Sequence, residues 1–467
     1  LAPPRPEHRL ISSGRVKKPR RYLSRQLWQR RLVFFTGALL VGGISVLFTD
    51  AANWAQARFV AAVQKELALP LLVTPLGFVV CAWLGKTYFP GAQGSGIPQA
   101  IAARHLQAGE TRGKLLAPKL IFGKIGLTVL GLLCGASVGR EGPTVQVGAT
   151  IMLQVARLGR LGNERGLILA GAAAGIAAAF NAPLAGIVFA IEEMSRSFEQ
   201  RTNGLVLYAV IFAGLTSLGL VGNYTYFGTT SAAVTGPQDW ALVVLCGIGG
   251  GLIGGGFSRL LLAGTARARN FVATATQRSA LLLPLACGAI VALAGIATRG
   301  ATFGTGYAQA RGAVEGHALA LTFWPAKFIA TLATALSGIP GGIFAPSLAV
   351  GAGLGSFLAT LSGTGTVSLG AVLGMAGYFA GVVQAPMTAF VIILEMTGNN
   401  ANVIPLMLAS VIGYAASKTI APEPLYHGLA KGFLPTTEAR PETDIKDPPP
   451  TPPPAPSSSP APTVATH

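Results

Sequence analysis

The chain has 467 residues, of which 51% are hydrophobic and only 11% charged, and its mean hydropathy is +0.55. That balance excludes an ordinary soluble domain and predicts an all-α integral membrane protein with charge confined to loops and ends. The net charge of +18 would fit nucleic acid in a soluble chain; here it reads as membrane orientation, and no nucleic-acid partner is expected.

In chain order, the first feature is RVKKPRRYLSRQLWQRR, Arg15–Arg31, ahead of the first apolar run. The positive-inside rule places the segment 1–31 in the cytoplasm. An anionic-lipid tether is the alternative use of the same charge. The apolar run starts late and is followed by many more, which argues against a cleavable signal peptide. About ten or eleven stretches long enough for a spanning helix recur from Leu32 to Ile420. Between Phe328 and Leu394 there is no Asp, Glu, Lys or Arg, yet Gly and Pro interrupt the run repeatedly. Lipid tolerates such breaks only where the freed backbone is buried in protein or lines a cavity.

Cys81, Cys134, Cys246 and Cys287 lie in apolar segments without CxxC spacing and read as buried thiols. The histidines are scattered, so neither a metal nor an organic cofactor is implied. GASVG (135–139) fits a nucleophile-elbow pattern but lacks the strand–turn–helix setting, and GGGLIG (249–254) fits a dinucleotide pattern but lies in an apolar helix without a preceding strand. The first reads as chance and the second as close helix packing. The membrane region is expected to end near Gly432. The Pro/Ser/Ala-rich stretch 433–467 has nothing to bury and reads as a disordered tail, with no soluble regulatory domain.

A shift of 203 residues superposes the chain on itself. GREGPTVQVGA (139–149) falls on GIFAPSLAVGA (342–352), NAPLAGIVFAIE (181–192) on QAPMTAFVIILE (384–395), and Lys124 on Lys327, without a gap. Two related halves are therefore expected, taken as 32–235 and 236–432. The helix opened by Pro143 runs toward Arg157, Arg160 and Arg165, whereas the one opened by Pro346 runs into uncharged LSGTGTVS. One motif thus ends on opposite sides of the membrane, which favours an inverted-topology repeat with its ligand near the midplane.

Pro143 and Pro346 suit a first helical turn, and each follows a glycine-containing segment; GSGIP (94–98) repeats the arrangement. A helix start offers unpaired N–H groups and about half a positive charge, which can hold an anion without the grip of Lys or Arg. The alternative is that Gly and Pro merely shape packed helices.

With GSGIP (94–98), GREGP (139–143), GGIFAP (341–346) and PLY (424–426) in this order, the chain resembles the CLC family of chloride channels and chloride/proton antiporters over roughly residues 30–432. The resemblance implies that the hydroxyls of Ser95 and Tyr426 and the backbone N–H groups of Ile343 and Phe344 bind a dehydrated anion. It implies that Glu141 is the gating glutamate and Glu193 the inner proton-transfer glutamate. It also implies a homodimer with one pathway per subunit, chloride and protons as the transported ions, and a bacterial inner-membrane location with both termini cytoplasmic. Ser95, where nitrate-preferring relatives carry Pro, points to chloride. Acidic residues at both 141 and 193 favour a coupled antiporter over a passive, voltage- or pH-gated chloride channel. Gln99 departs from the family's frequent Glu and leaves the hydrogen bonding there open. On the residues alone, Glu141 could instead pair with Arg140, Glu192 could mark a polar helix end matched by Glu395, and Tyr426 could be an interfacial anchor.

Overall fold

The computed structural model describes residues 25–107, 109–195, 200–222, 225–276 and 279–434. Their regular structure is helical: α1 (Arg25–Lys65), α2 (Pro70–Thr87), α3 (Ile97–His105), α4 (Glu110–Leu115), α5 (Lys119–Leu133), α6 (Glu141–Leu158), α7 (Glu164–Phe180), α8 (Pro183–Phe189), α9 (Gln200–Val221), α10 (Pro237–Thr274), α11 (Leu282–Ala297), α12 (Tyr307–Val314), α13 (Phe323–Leu336), α14 (Phe344–Ser362), α15 (Val367–Val383), α16 (Pro386–Thr397), α17 (Val403–Ile420) and α18 (Leu425–Lys431). A π-helical turn, Ala190–Ser195, continues α8. The end of the basic run, Arg25–Arg31, is already the start of α1; the rest of that run and the tail beyond 434 lie outside the described residues.

Among the described residues, eight helices are long and apolar enough to cross a bilayer, and α13, α15 and α16 are shorter apolar helices, in keeping with the spans read from sequence. At 41 residues α1 reaches about 60 Å, twice a hydrocarbon core, so it tilts or extends beyond it. At the other extreme α3, α8, α12 and α18 have at most nine residues and cannot span. The starts of α3 and α18 are buried in the protein, where lipid never meets the unpaired backbone.

Contacts between the halves are reciprocal. Gly139 and Gly342, equivalent in the repeat, form an antiparallel bridge in which each N–H donates to the other's carbonyl at 2.7 Å. The Glu192 carboxylate accepts from the N–H groups of Met387 and Thr388, opening α16, at 3.0 and 2.6 Å. Its counterpart Glu395 accepts from Leu184 and Ala185, opening α8, at 3.0 and 2.7 Å. An exchange in which each half gives the other the same contact requires a two-fold relation. Each glutamate therefore caps a helix of the opposite copy rather than marking the end of its own.

Glycine allows this packing. Gly148 on α6 meets Gly171 on α7, and their equivalents Gly351 and Gly374 meet between α14 and α15, backbone against backbone. In α10, Gly250 and Gly254 lie against Tyr378 and Gly381 of α15 while Gly251 lies on Gly413 of α17, so GGGLIG is a packing face. Among the described residues all four cysteines are buried and free.

A side chain at Gly355 would enter the backbone of Gly370 and Gly374, whereas Gly256 has open space around it. Gly355→Leu is therefore expected to cost about 3 kcal/mol or more and to lower the unfolding temperature in detergent, while Gly256→Ala leaves it unchanged. Equal unfolding temperatures for the two variants would contradict the packing account.

Candidate functional site

The loop before α3 is held from two sides. Gly94 and Gly96 adopt φ of +66° and +102°, a region open to glycine, and so turn Ser95 out between them. Gln99 Oε1 accepts from the Gly96 N–H at 3.1 Å, and its Nε2 donates to the Gln93 carbonyl at 2.5 Å. The Gln at this position therefore supplies acceptor and donor together without charge. Behind the loop, the buried Lys124 ammonium donates to the carbonyls of Ala92 and Gly94, both at 2.7 Å.

The second half carries the same device. Lys327 donates to Thr302 and Gly304 at 2.9 and 2.7 Å, and Gly304 and Gly306 have φ of +67° and +77° ahead of α12. GTGY (304–307) is thus the structural counterpart of GSGI (94–97). The offset here is 210 residues rather than 203, which hides the pair from a gapless comparison.

The starts of α3, α6 and α14 converge through backbone contacts. The Gly139–Gly342 bridge joins the residues ahead of α6 and α14, and the Gly341 N–H donates to the Gly94 carbonyl at 3.2 Å. A Cβ at Gly142 would lie 2.6 Å from Ser95 Oγ and 3.2 Å from the Gly342 Cα, so these three strands of backbone touch. α6 begins at Glu141 and α14 at Phe344, two residues ahead of the prolines that signal them, which places Pro143 and Pro346 at the third helical position. No intrahelical acceptor exists for N–H groups there, so proline costs nothing and the first-turn N–H groups of both helices remain available.

Ser95 and Tyr426 meet at this point. Tyr426 is fully buried, its hydroxyl lies near that of Ser95 without a fully formed hydrogen bond, and neither hydroxyl has another partner among the described residues. Two orphaned donors in a sealed interior call for an acceptor that the protein itself does not supply. The Phe344 ring fixes the geometry by packing on Phe379, Tyr426, Phe189 and Phe180, with centroids 4.8, 5.8, 5.9 and 6.1 Å away. Ile343 caps α14 directly before it. Tyr426 is therefore a buried part of this cluster and not an interfacial anchor.

Glu141 is fully buried. Its Oε2 occupies the space a Cβ at Gly139 would need, near the N–H groups of Glu141 and Ala345 but without a fully formed hydrogen bond. Its Oε1 accepts from the Tyr226 hydroxyl at 3.4 Å. Arg140 makes no direct ion pair with Glu141, although its charge reaches that carboxyl; its guanidinium donates to Asn53 Oδ1 at 2.6 Å and lies 5.6 Å from the Tyr226 ring. Arg140 and Tyr226 line a cavity of about 340 Å³ together with Thr49, Asp50, Asn53, Val221 and Tyr307. Tyr226 thus separates the Glu141 carboxyl from an open pocket.

Glu193 lies beyond Tyr426, and the Tyr426 hydroxyl is within electrostatic reach of both glutamates. Neighbours on a helical turn project in different directions, so Glu192 reaches α16 while Glu193 turns inward and is fully buried. Arg104 of α3 ties this turn down, donating to the Met194 carbonyl at 2.9 Å and to Ser195 Oγ at 3.0 Å. His427 of α18 contacts the Glu193 carbonyl.

A family model described as voltage gated chloride channel matches residues 76–418. The chain belongs to the CLC family. A ClcA H+/Cl− exchange transporter from Yersinia pestis bv. Antiqua (strain Angola) is 32% identical over 441 residues, covering 88% of this chain and 89% of the relative. One from Klebsiella pneumoniae is 29% identical, covering 92% and 95%. Among solved structures, a slow cyanobacterial Cl−/H+ antiporter superposes with a TM-score of 0.73 at 23% identity, covering 88% of this chain and 98% of the other. A CLC-type fluoride/proton antiporter gives 0.71 at 24% identity, covering 85% and 98%. The fold is therefore that of the CLC transporters, which are not enzymes.

Ser95, Ile343, Phe344, Tyr426 and Glu141 come together, and Glu193 stands apart behind Tyr426. Ser137 of GASVG is fully buried, with its Oγ 2.9 Å from Thr331 Oγ1, as befits a structural residue. No cluster of metal-ligating side chains occurs among the described residues. Sequence reasoning missed Tyr226, the lysine brackets and His427; only the repeated lysines carried a signal. Because the Glu141 carboxyl uses space left by a missing side chain, Gly139→Ala is expected to expel it. Liposome assays should then show pH-dependence of anion flux weakened relative to wild type; an unchanged pH profile would place the carboxyl elsewhere.

Proposed function

We propose that this CLC anion transporter exchanges chloride for protons. The observation that carries the reading is one set of buried groups around Tyr426: the carboxyl of Glu141, the hydroxyls of Ser95 and Tyr426, and a second carboxyl at Glu193. The hydroxyls and the first-turn N–H groups at Ile343 and Phe344 would hold a dehydrated chloride by dipoles, firmly enough to strip water and weakly enough to release it.

Glu141 gives this anion site its gate. Ionised, its carboxylate competes with chloride for the positive starts of α6 and α14. Protonated, it loses that attraction and yields the position. Anion and carboxylate cannot both sit there, so proton uptake and anion movement are linked. A second acid at Glu193 supports coupling over passive conduction, because a channel needs no proton acceptor on the inner side. The share of identity with ClcA exchange transporters points the same way. We take the protein to be a homodimer in a bacterial inner membrane with both termini cytoplasmic, on the strength of the family likeness and the basic N-terminal segment.

Reconstituted wild-type protein is expected to show a reversal potential set by both chloride and pH gradients; one that follows chloride alone would make it a channel. Glu141→Ala should keep anion flux and lose chloride-driven proton uptake. Glu193→Gln should lose proton uptake while chloride still moves, and full coupling in either variant would remove that residue from the mechanism.

A further inference from the structure

Glu193 has a supply problem: its side chain is 1% exposed, so protons from the inner solution need a carrier to reach it. Its neighbour Glu192 cannot serve freely, because both carboxylate oxygens accept from the N–H groups that open α16. Nor can Arg104, which ties down the same turn, since a guanidinium does not release its proton.

His427 can. It follows Tyr426 on α18, and its side chain is 19% exposed. Its Nε2 lies 2.9 Å from the Glu193 carbonyl oxygen and 4.0 Å from Glu193 Oε1. A carbonyl only accepts, so Nε2 bears the proton and Nδ1 is left as the basic nitrogen. We propose that His427 is the inner proton port of this chain, an imidazole that takes protons from the cytoplasmic solution and passes them to Glu193. The proposal rests on the exchange reading, because it presumes that Glu193 accepts protons.

The transfer balances. A proton from solution bonds to Nδ1 and gives the imidazolium. The Nε2–H then turns from the carbonyl to Oε1, the N–H bond breaks, and the carboxylate becomes the acid. The ring is left neutral with its proton on Nδ1; exchange with solvent or a flip of the ring restores the starting tautomer. The reverse sequence discharges Glu193. An imidazole suits this work because it changes charge near neutral pH.

Other charges surround the port. Arg104 and His105 come from α3, which packs on α18, and Glu192 lies on the π-helical turn. On the α10 side the Arg269 guanidinium lies against Gly432. Also among the described residues, Glu423 pairs with Lys431 at 2.6 Å at α18 itself, and Tyr426 directly precedes His427.

The test uses His427→Gln in the full chain, reconstituted in liposomes. Glutamine keeps an N–H donor for the Glu193 carbonyl but carries no proton at Nδ1. Chloride-driven proton uptake should fall about tenfold or more, a modest loss for a positioned proton carrier. Its dependence on internal pH should flatten. In a Glu141→Ala background, where only anion flux is read, the same substitution should change the rate less than about twofold, well inside that range. Wild-type proton uptake that is absent altogether would sink the exchange reading. Uptake that is present and unaltered by His427→Gln would overturn the port alone. A parallel fall of anion flux in the Glu141→Ala background would also overturn it, by showing a structural role for α18. If the Gln variant does not fold, His427→Asn is read by the same criteria.

Discussion

Two hydrogen bonds between Gly139 and Gly342 fix where this membrane protein can be polar inside. A bilayer forbids unpaired backbone, so a helix may begin at mid-depth only if protein surrounds its start. The bridge satisfies the two strands leading into α6 and α14, and it does so with glycines on both sides, so no side chain separates them. The third strand, Gly94–Gly96, joins through the Gly341 N–H. Three helix starts are thereby drawn to one buried point, and each brings first-turn donors that nothing in its own helix can accept. The proposed anion site follows from this backbone geometry before any side chain is considered.

The two-fold relation behind the bridge also explains what the repeat leaves unequal. The scaffold elements are duplicated: the cross-capping glutamates, the lysine brackets and the glycine contacts of α6 on α7 and α14 on α15. The residues at the pathway itself are not. Glu141 falls on Phe344, which instead packs into a cluster of aromatic rings with Tyr426. Glu193 falls on Met396, and Ser95 matches Thr305 only after the longer offset. A symmetric frame thus carries asymmetric chemistry, as the proposed exchange of an anion for protons requires.

Much of this was legible because backbone demands leave marks in sequence. Prolines near helix starts, glycines at close approaches and a gapless internal match reported the frame, the convergence of the helix starts and the position of Glu141. What stayed hidden depends on contacts between distant segments. Tyr226 meets Glu141 across 85 residues from a loop with no repeat partner. The second lysine bracket escaped because the loop ahead of α12 is set seven residues out of register with the rest of the repeat, 210 against 203. The sequence allowed Arg140 to neutralise Glu141, since they are neighbours; the turn that begins α6 sends the two side chains apart. Nor does sequence show which way Glu192 and Glu193 each turn, because a π-helical turn has no composition of its own.

The lysines bear on why the anion site is built from dipoles. Each buried ammonium is spent on backbone carbonyls rather than presented to the pathway. Lys124 draws the Gly94 carbonyl toward itself, and in a trans peptide the N–H of Ser95 must then point the opposite way. The lysine therefore acts at one remove: it orients the loop, and the loop's N–H and hydroxyl groups face the site in its place. A bare ammonium at the site would bind chloride in a medium where unit charges attract strongly, and release would be slow. It would also bind the Glu141 carboxylate permanently. Holding the lysine behind the loop leaves the proposed site to backbone dipoles, and competition between an anion and a carboxylate is possible there only while neither is held too well.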